Sequence, residues 1–228
     1  MENKNLYIVA TPIGNLKDMT LRAIEILKSV DVIFCEDTRQ TGKLLKHYEV
    51  NKRMISFHQH SREEEIKKSI NQFNQIAYAT DAGTPGISDP GNKIVEIALQ
   101  SGANIIPIPG PCAAISALSV SGLPTDKFLF LGFIPHKGKT KFYETIENAD
   151  MTVCYYDSPH RVLKNLTELK NHIGSNRKIV VCREMTKVFE SIYRGNIDEV
   201  IEQVKDKQKG EFVIVISSIK QSKKTGQP

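Results

Sequence analysis

Three loops rich in proline and glycine carry the first chemical signal in this chain. They are Thr11-Pro12-Ile13-Gly14-Asn15-Leu16, the run Asp81-Ala82-Gly83-Thr84-Pro85-Gly86-Ile87-Ser88-Asp89-Pro90-Gly91, and Pro107-Ile108-Pro109-Gly110-Pro111-Cys112-Ala113. Proline fixes backbone direction and glycine lets the main chain approach a ligand, so the combination suits a cleft built from peptide groups. One such loop is an ordinary tight turn; three in one half of a chain, each after an apolar run, point to a binding site. Polar clusters sit in comparable places. Glu36-Asp37-Thr38-Arg39 follows an apolar run, where its carboxylates suit a base or a ribose-binding acid, although Asp37 also fits the N-cap of the next helix. Ser158-Pro159-His160-Arg161 reads as a helix start with Ser158 as N-cap and Pro159 in the first turn, which brings His160 and Arg161 to an anion-friendly helix end. Arg183-Glu184-Met185-Thr186-Lys187 with Glu190 ends another apolar run in alternating charge, as a reactive cluster or a surface ion-pair patch.

The elements that must position these residues alternate. Strands are expected at Leu6–Ala10, Val32–Cys35, Ile55–Phe57, Ile76–Thr80 and Ile105–Ile108. Helices are expected at Thr20–Val30, Gln40–Tyr48, Glu63–Phe73, Asn92–Gln100 and Cys112–Val120. That order predicts a largely parallel sheet covered on both faces, with ligands beyond the carboxyl ends of its strands. After the break at Ser121-Gly122-Leu123-Pro124-Thr125 the strands become more β-branched and aromatic: Phe128–Ile134, Thr152–Tyr156, Lys178–Arg183, Ser191–Arg194 and Glu211–Ser217. The fold class expected is therefore α/β in two domains, with a mostly parallel sheet in 1–122, a mixed sheet in 123–219 and a basic tail over 220–228.

Several classes fall away. No G-x-G-x-x-G occurs, and Gly132 to Thr140 departs from a phosphate-binding Walker loop by one extra residue and a proline. His58 and His60 lack a third ligand nearby in sequence, so no metal is expected. Cys35, Cys112, Cys154 and Cys182 are widely spaced and lie mostly in apolar runs, as core thiols do in a reducing compartment. The chain runs from Met1 into a strand-like segment without an apolar signal region, and nothing approaches the roughly 20 apolar residues of a membrane span. A cytoplasmic protein is expected. The 31 Lys plus Arg against 26 Asp plus Glu leave a charge of +5, which permits a polyanionic partner without requiring one.

Taken in order, these motifs, with Phe133-Ile134-Pro135, resemble the ribosomal RNA small subunit methyltransferase I family of the tetrapyrrole methylase superfamily, from about residue 6 to residue 217. The resemblance implies two α/β domains with S-adenosylmethionine folded into the cleft between them, and 2′-O-methylation of a cytidine in the decoding region of small-subunit (16S) rRNA. It also implies a substrate that is free rRNA or the 30S particle, and a homodimer. By the same resemblance Pro12, Ala82, Gly83, Thr84, Ile87, Cys112, Ala113, Tyr156 and Gly195 line the donor pocket. Two positions depart from the family pattern: Asp157 stands where glutamate is usual and Thr80 where serine is usual. A ribose hydroxyl is a poor nucleophile, so a base, or a cation for the developing alkoxide, is needed; the candidates are Asp37, Glu184 and Lys187. Arg39, Lys137, Lys139 and Arg161 are the basic side chains expected against phosphates. The rival readings are a related methylase acting on a tetrapyrrole or a protein side chain, and a non-catalytic ribosome assembly factor.

Overall fold

The computed structural model describes residues 4–58, 60–89 and 91–219; the basic tail expected over 220–228 lies outside them. The chain divides into two compact units, the first ending at Cys112 and the second beginning at Ala113.

The first unit alternates β1 (Asn5–Val9), α1 (Leu21–Ser29), β2 (Val32–Cys35), α2 (Thr38–His47), β3 (Met54–Ser56), α3 (Glu63–Asn71), β4 (Gln75–Ala79), α4 (Gly91–Gln100) and β5 (Asn104–Ile108). The strands form one sheet in the order β3-β2-β4-β1-β5, and every pair is parallel. Both faces are buried, which is why the strands read as continuous apolar runs. On one face Ala23, Leu27 and Leu45 of α1 and α2 meet Val9, Ile33, Ala77 and Ala79. On the other, Ile66, Ile70, Ile94 and Ile97 of α3 and α4 meet Leu6, Phe34, Ile76 and Tyr78. The chain thus leaves β1 and β2 over one face and leaves β4, which lies between them, over the other. Such a divergence opens a crevice at the carboxyl end of β4, the place where open α/β sheets hold their ligands.

The second unit contains α5 (Ala113–Ser121), β6 (Phe128–Phe133), α6 (Lys139–Asn148), β7 (Thr152–Asp157), α7 (Val162–Ile173), β8 (Lys178–Arg183), β9 (Ser191–Asn196), α8 (Ile197–Val204) and β10 (Phe212–Ile216). Its sheet runs β6-β7-β10-β8-β9, parallel between β6 and β7 and antiparallel elsewhere. Helices α6, α7 and α8 cover one face around Tyr155, Val181, Ile214 and Ile216. Helix α5 packs on β7 and β10, so this unit starts one helix before the break at residues 121–125.

The expected cap at Ser158 is not formed. Helix α7 starts at Val162 after Arg161, which makes no side-chain cap, and Ser158 to His160 make a turn whose Ser158 carbonyl accepts the Arg161 and Val162 amides. The reason lies at Asp157, which accepts the Ser158 N–H at 2.7 Å and both oxygens of which accept from the Asn165 amide at 2.9 and 2.8 Å. The Ser158 hydroxyl accepts from Arg161 Nε at 3.1 Å instead. Helix α2 starts two residues before Gln40 because Asp37 is its N-cap, accepting the Arg39 N–H at 2.8 Å.

One buried cation ties the second unit together. Arg177 is 2% exposed, and its guanidinium donates to the carbonyls of Ile146 (2.7 Å) and Ser217, joining the end of α6 to the segment after β10. Burial pushes its pKa down to about 10, so it remains charged at neutral pH. Replacing Arg177 by Met strands those carbonyls. Since each charge-assisted bond is worth roughly 1.5–3 kcal/mol, urea denaturation of Arg177→Met is expected to show a loss of about 3 kcal/mol. A loss below about 0.5 kcal/mol would mean that water replaces the guanidinium at no cost.

Candidate active site

In the first unit the three proline-glycine loops are one structure. Thr11 and Gly83 form an isolated antiparallel bridge, Thr11 N–H to Gly83 O at 2.9 Å and Gly83 N–H to Thr11 O at 3.1 Å. Gly83 adopts φ +84°, a left-handed value that only glycine takes without strain. The Thr84 hydroxyl then donates to Pro111 O at 3.0 Å, which joins the second loop to the third. Gly110 lies so close to β1 that a Cβ there would meet the Ala10 Cβ at 2.9 Å. Of the residues expected around the methyl donor, Pro12, Ala82, Gly83, Thr84, Ile87 and Cys112 belong to this platform. It offers peptide groups and small or apolar side chains, with Ile87 45% exposed. Those are suitable neighbours for the uncharged nucleoside part of such a donor. Beside it a cleft of about 360 Å³ is lined by Pro12, Gly14, Leu16, Thr41, Thr80 and Asp81, among others.

The remaining three expected donor residues lie in the second unit. Ala113 opens α5, and the Tyr156 hydroxyl accepts the Ala114 N–H at 3.2 Å, with the Phe130 and Phe133 rings edge-on to Tyr156. Gly195 has a structural reason of its own. A side chain there would run into Glu199, whose carboxylate completes a capping box at the start of α8 by accepting the Asn196 N–H at 2.9 Å.

The three catalytic candidates separate. Glu184 and Lys187 meet: Lys187 Nζ donates to Glu184 Oε1 at 2.9 Å and to Glu211 Oε2 at 2.8 Å, while Glu184 Oε1 also accepts the Glu211 N–H at 2.9 Å. Burial opposes the Lys187 charge, but the hydrogen bonds it donates to Glu211 and Glu184 outweigh burial and raise the pKa, so Lys187 is a cation. Glu184 sits at φ 52°, and Gly210 leaves the space its side chain fills. Glu211 was not among the candidates, since nothing local marks a residue at the start of a strand as the partner of a loop more than twenty positions earlier. Asp37 is committed elsewhere. Besides capping α2 it pairs with Arg39 through Oδ2 at 2.7 Å, and these bonds hold its pKa down to about 2. A carboxylate so stabilised has little appetite for a proton.

The adjacent residue behaves differently. Glu36 Oε1 accepts the Thr80 hydroxyl at 2.6 Å, and burial lifts its pKa above the ordinary carboxylate range, with Asp89 and Asp81 adding to the rise. Thr80 keeps the hydroxyl that serine would supply, so that departure from the family pattern costs no hydrogen bond. Asp157, the other departure, is 2% exposed and serves the β7–α7 turn.

The four phosphate candidates also divide. Arg39 has 86% of its side chain exposed, and Lys137 is exposed. Arg161 is half-buried against Ser158. Lys139, also expected against phosphates, has its ammonium bound to Asn165 Oδ1 at 2.6 Å and Glu168 Oε2 at 2.9 Å, with 17% of the side chain exposed. It clamps α6 to α7. The His58 and His60 rings lie 6.1 Å apart, and no group of three or more metal-ligating side chains occurs among the described residues. Among the same residues no helix is long and apolar enough to cross a membrane.

Comparison with known proteins agrees with this geometry. Residues 5–201 match the family described as tetrapyrrole (corrin/porphyrin) methylases. The chain is 46% identical over 219 residues to ribosomal RNA small subunit methyltransferase I of Hydrogenobaculum sp., covering 93% of this chain and 95% of that protein. It is 42% identical over 223 residues to the protein of the same name from Escherichia coli O157:H7, covering 94% and 78%. Among solved structures, uroporphyrin-III-C-methyltransferase from Thermus thermophilus superposes with a TM-score of 0.68 over 99% of this chain and 100% of that one; at 14% identity the likeness is one of fold. The chain belongs to the tetrapyrrole methylase family, and within it to the ribosomal RNA small subunit methyltransferase I group.

Proposed function

We propose that this chain transfers the methyl group of S-adenosylmethionine to small-subunit ribosomal RNA, at the ribose 2′-hydroxyl of a cytidine in the decoding region. The observation that carries the reading is identity of 40–46% across more than nine-tenths of the chain to proteins named as small-subunit rRNA methyltransferases. The bonded loop platform supports a methyl donor held by main-chain groups, and its members Pro12, Ala82, Gly83, Thr84, Ile87 and Cys112 are assigned to that donor, together with Ala113, Tyr156 and Gly195. Bound there, the donor supplies an electrophilic methyl group, and the protein's task is to orient the acceptor behind it and to manage charge and proton. Lys187 suits the developing alkoxide. An ammonium has three donors, and two are taken by Glu184 and Glu211, which leaves one for the reacting oxygen. In this reading Glu184 positions Lys187. Arg39, Lys137 and Arg161 are assigned to RNA phosphates. We further propose a homodimer in the cytoplasm, acting on free rRNA or on the 30S particle.

The primary test is transfer of labelled methyl to small-subunit particles and to naked rRNA from a strain lacking the enzyme, with the modified nucleotide mapped. A 2′-O-methylcytidine in the decoding region is expected. Label on a tetrapyrrole or a protein instead, or donor affinity without any transfer, would overturn the assignment. Two substitutions separate donor binding from chemistry. Lys187→Met is expected to lower kcat about a hundredfold at unchanged donor affinity, and full turnover would remove Lys187 from the site. Gly83→Ala puts an alanine in the left-handed region at a cost of roughly 1–2 kcal/mol; the free loop sheds that cost by relaxing and the donor must restore it, so calorimetry is expected to show donor affinity about tenfold weaker.

Phosphate contacts have their own signature. Loss of Arg39 or of Lys137 is expected to weaken RNA binding and to reduce the slope of log K against log salt by about one each. Binding by either variant with the wild-type salt slope would withdraw that residue from the interface.

A further inference from the structure

Glu36 follows the last residue of β2, at the edge of the crevice that opens where the chain leaves β4 over the opposite face. Its side chain spans that crevice to Thr80, whose hydroxyl donates to Oε1 at 2.6 Å. The main chain beneath is pinned on both sides: the Ser56 hydroxyl donates to Glu36 O at 2.6 Å and the Thr11 hydroxyl to Thr80 O at 3.1 Å. The carboxylate is therefore held with one oxygen occupied. The other, Oε2, makes no hydrogen bond among the described residues and is not sealed from solvent.

The surroundings of this carboxylate are incomplete. Tyr78 of β4 is fully buried, and its hydroxyl has no hydrogen-bond partner among the described residues. That hydroxyl lies toward the acids: after burial, the charges of Glu36 and then Asp89 weigh most against its ionisation. Asp89 Oδ1 accepts the Gly86 and Gly91 amides at 2.6 and 2.8 Å, but its Oδ2 is buried without a partner. Buried polar atoms in native proteins are nearly always bonded, so two left open beside one carboxylate mark a place for a hydroxyl-bearing ligand or its water. The charged groups acting on Glu36 are Asp89 and Asp81; no cation is among them. Asp37 is the contrast. Its carboxylate is consumed by the α2 cap and by Arg39.

We propose that Glu36, not Asp37, accepts the proton of the ribose 2′-hydroxyl, with Thr80 positioning it. The inference rests on the reading of the chain as a ribose methyltransferase. In the step, the hydroxyl oxygen forms a bond to the methyl carbon while the carbon–sulfur bond breaks and its electron pair goes to sulfur, leaving a neutral thioether. The hydroxyl proton passes to Glu36 Oε2, and from there to water after product leaves. The positive charge of the sulfonium and the negative charge of the carboxylate are both cancelled, so charge balances.

Burial and the neighbouring Asp89 and Asp81 hold the Glu36 proton more tightly than an ordinary carboxylate does, against the opposing Thr80 bond. Activity is therefore expected to rise with pH through that raised value, as Glu36 becomes a base. Single-turnover methyl transfer to the mapped nucleotide, followed across pH for the intact wild-type chain, Glu36→Gln, Asp37→Asn and Thr80→Val, decides the matter. Glutamine keeps an acceptor for Thr80 but cannot take the proton. Glu36→Gln is expected to lose turnover by about a hundredfold or more, to lose the acidic limb of the profile, and to retain donor affinity by calorimetry. Asp37→Asn is expected to keep that limb. Thr80→Val removes a bond that favours the charged carboxylate, so its limb moves to higher pH, which tests the proposal even if Glu36→Gln does not fold. Wild-type turnover in Glu36→Gln, or an acidic limb that Thr80→Val does not move, overturns the proposal. A wild-type chain that methylates no ribose hydroxyl overturns the underlying reading, and the proposal with it.

Discussion

Two hydrogen bonds between Thr11 and Gly83 organise the first unit's binding face. Strands β1 and β4 are parallel neighbours whose outgoing chains diverge over opposite faces of the sheet. Divergent loops have no ladder to hold them, and would fray without another constraint. The bridge supplies it, and only because Gly83 reaches φ +84°. From that point the Thr84 hydroxyl captures the third loop through Pro111, and the Thr11 hydroxyl captures the end of β4 through Thr80. Three separate peptide segments thereby become one surface, whose order comes from main-chain bonds and two short threonine hydroxyls rather than from large side chains.

The same crevice separates two carboxylates that adjoin in sequence. Asp37 gains two donors and a guanidinium and is held as an anion at neutral pH. Glu36 is drawn inward, gains one hydroxyl and faces other acids, and its proton is correspondingly harder to remove. Neighbours along the chain thus acquire opposite chemistry because successive residues leaving a strand point to opposite sides. In the second unit Lys187 reaches the reverse balance: two carboxylates outweigh partial burial and hold a cation in one place.

The fold itself says little about the acceptor. A structure only 14% identical, from an enzyme named for uroporphyrin, shares the architecture over nearly the whole chain. One scaffold hosts different reactions, and the distinction resides in the side chains on its loops. The capping box that leaves no room for a side chain at Gly195, and the turn after β7 that Asp157 holds, give both residues a structural reason of their own.

Much of the architecture was legible in the residues. Apolar runs of five or so residues alternating with helical spacing are local signals, and β1, α1, β2, β4, α4 and β8 fall at or within one or two residues of where those signals put them. The three loops were legible for the same reason, because proline and glycine restrict or release the backbone wherever they stand. Partnerships across long separations were not. That Lys139 is spent on Glu168, that Ser158 turns to Arg161 instead of capping α7, and that α5 packs with the second sheet all depend on which elements become neighbours. The choice between Glu36 and Asp37 belongs to the same class. Both are acids after a strand in the sequence, and only the Thr80 hydroxyl, Asp81 and Asp89 on one side and Arg39 on the other tell them apart. Sequence determines which groups are present and the local backbone they prefer; the folded structure determines their solvation and their charged neighbours, and it is these that set reactivity.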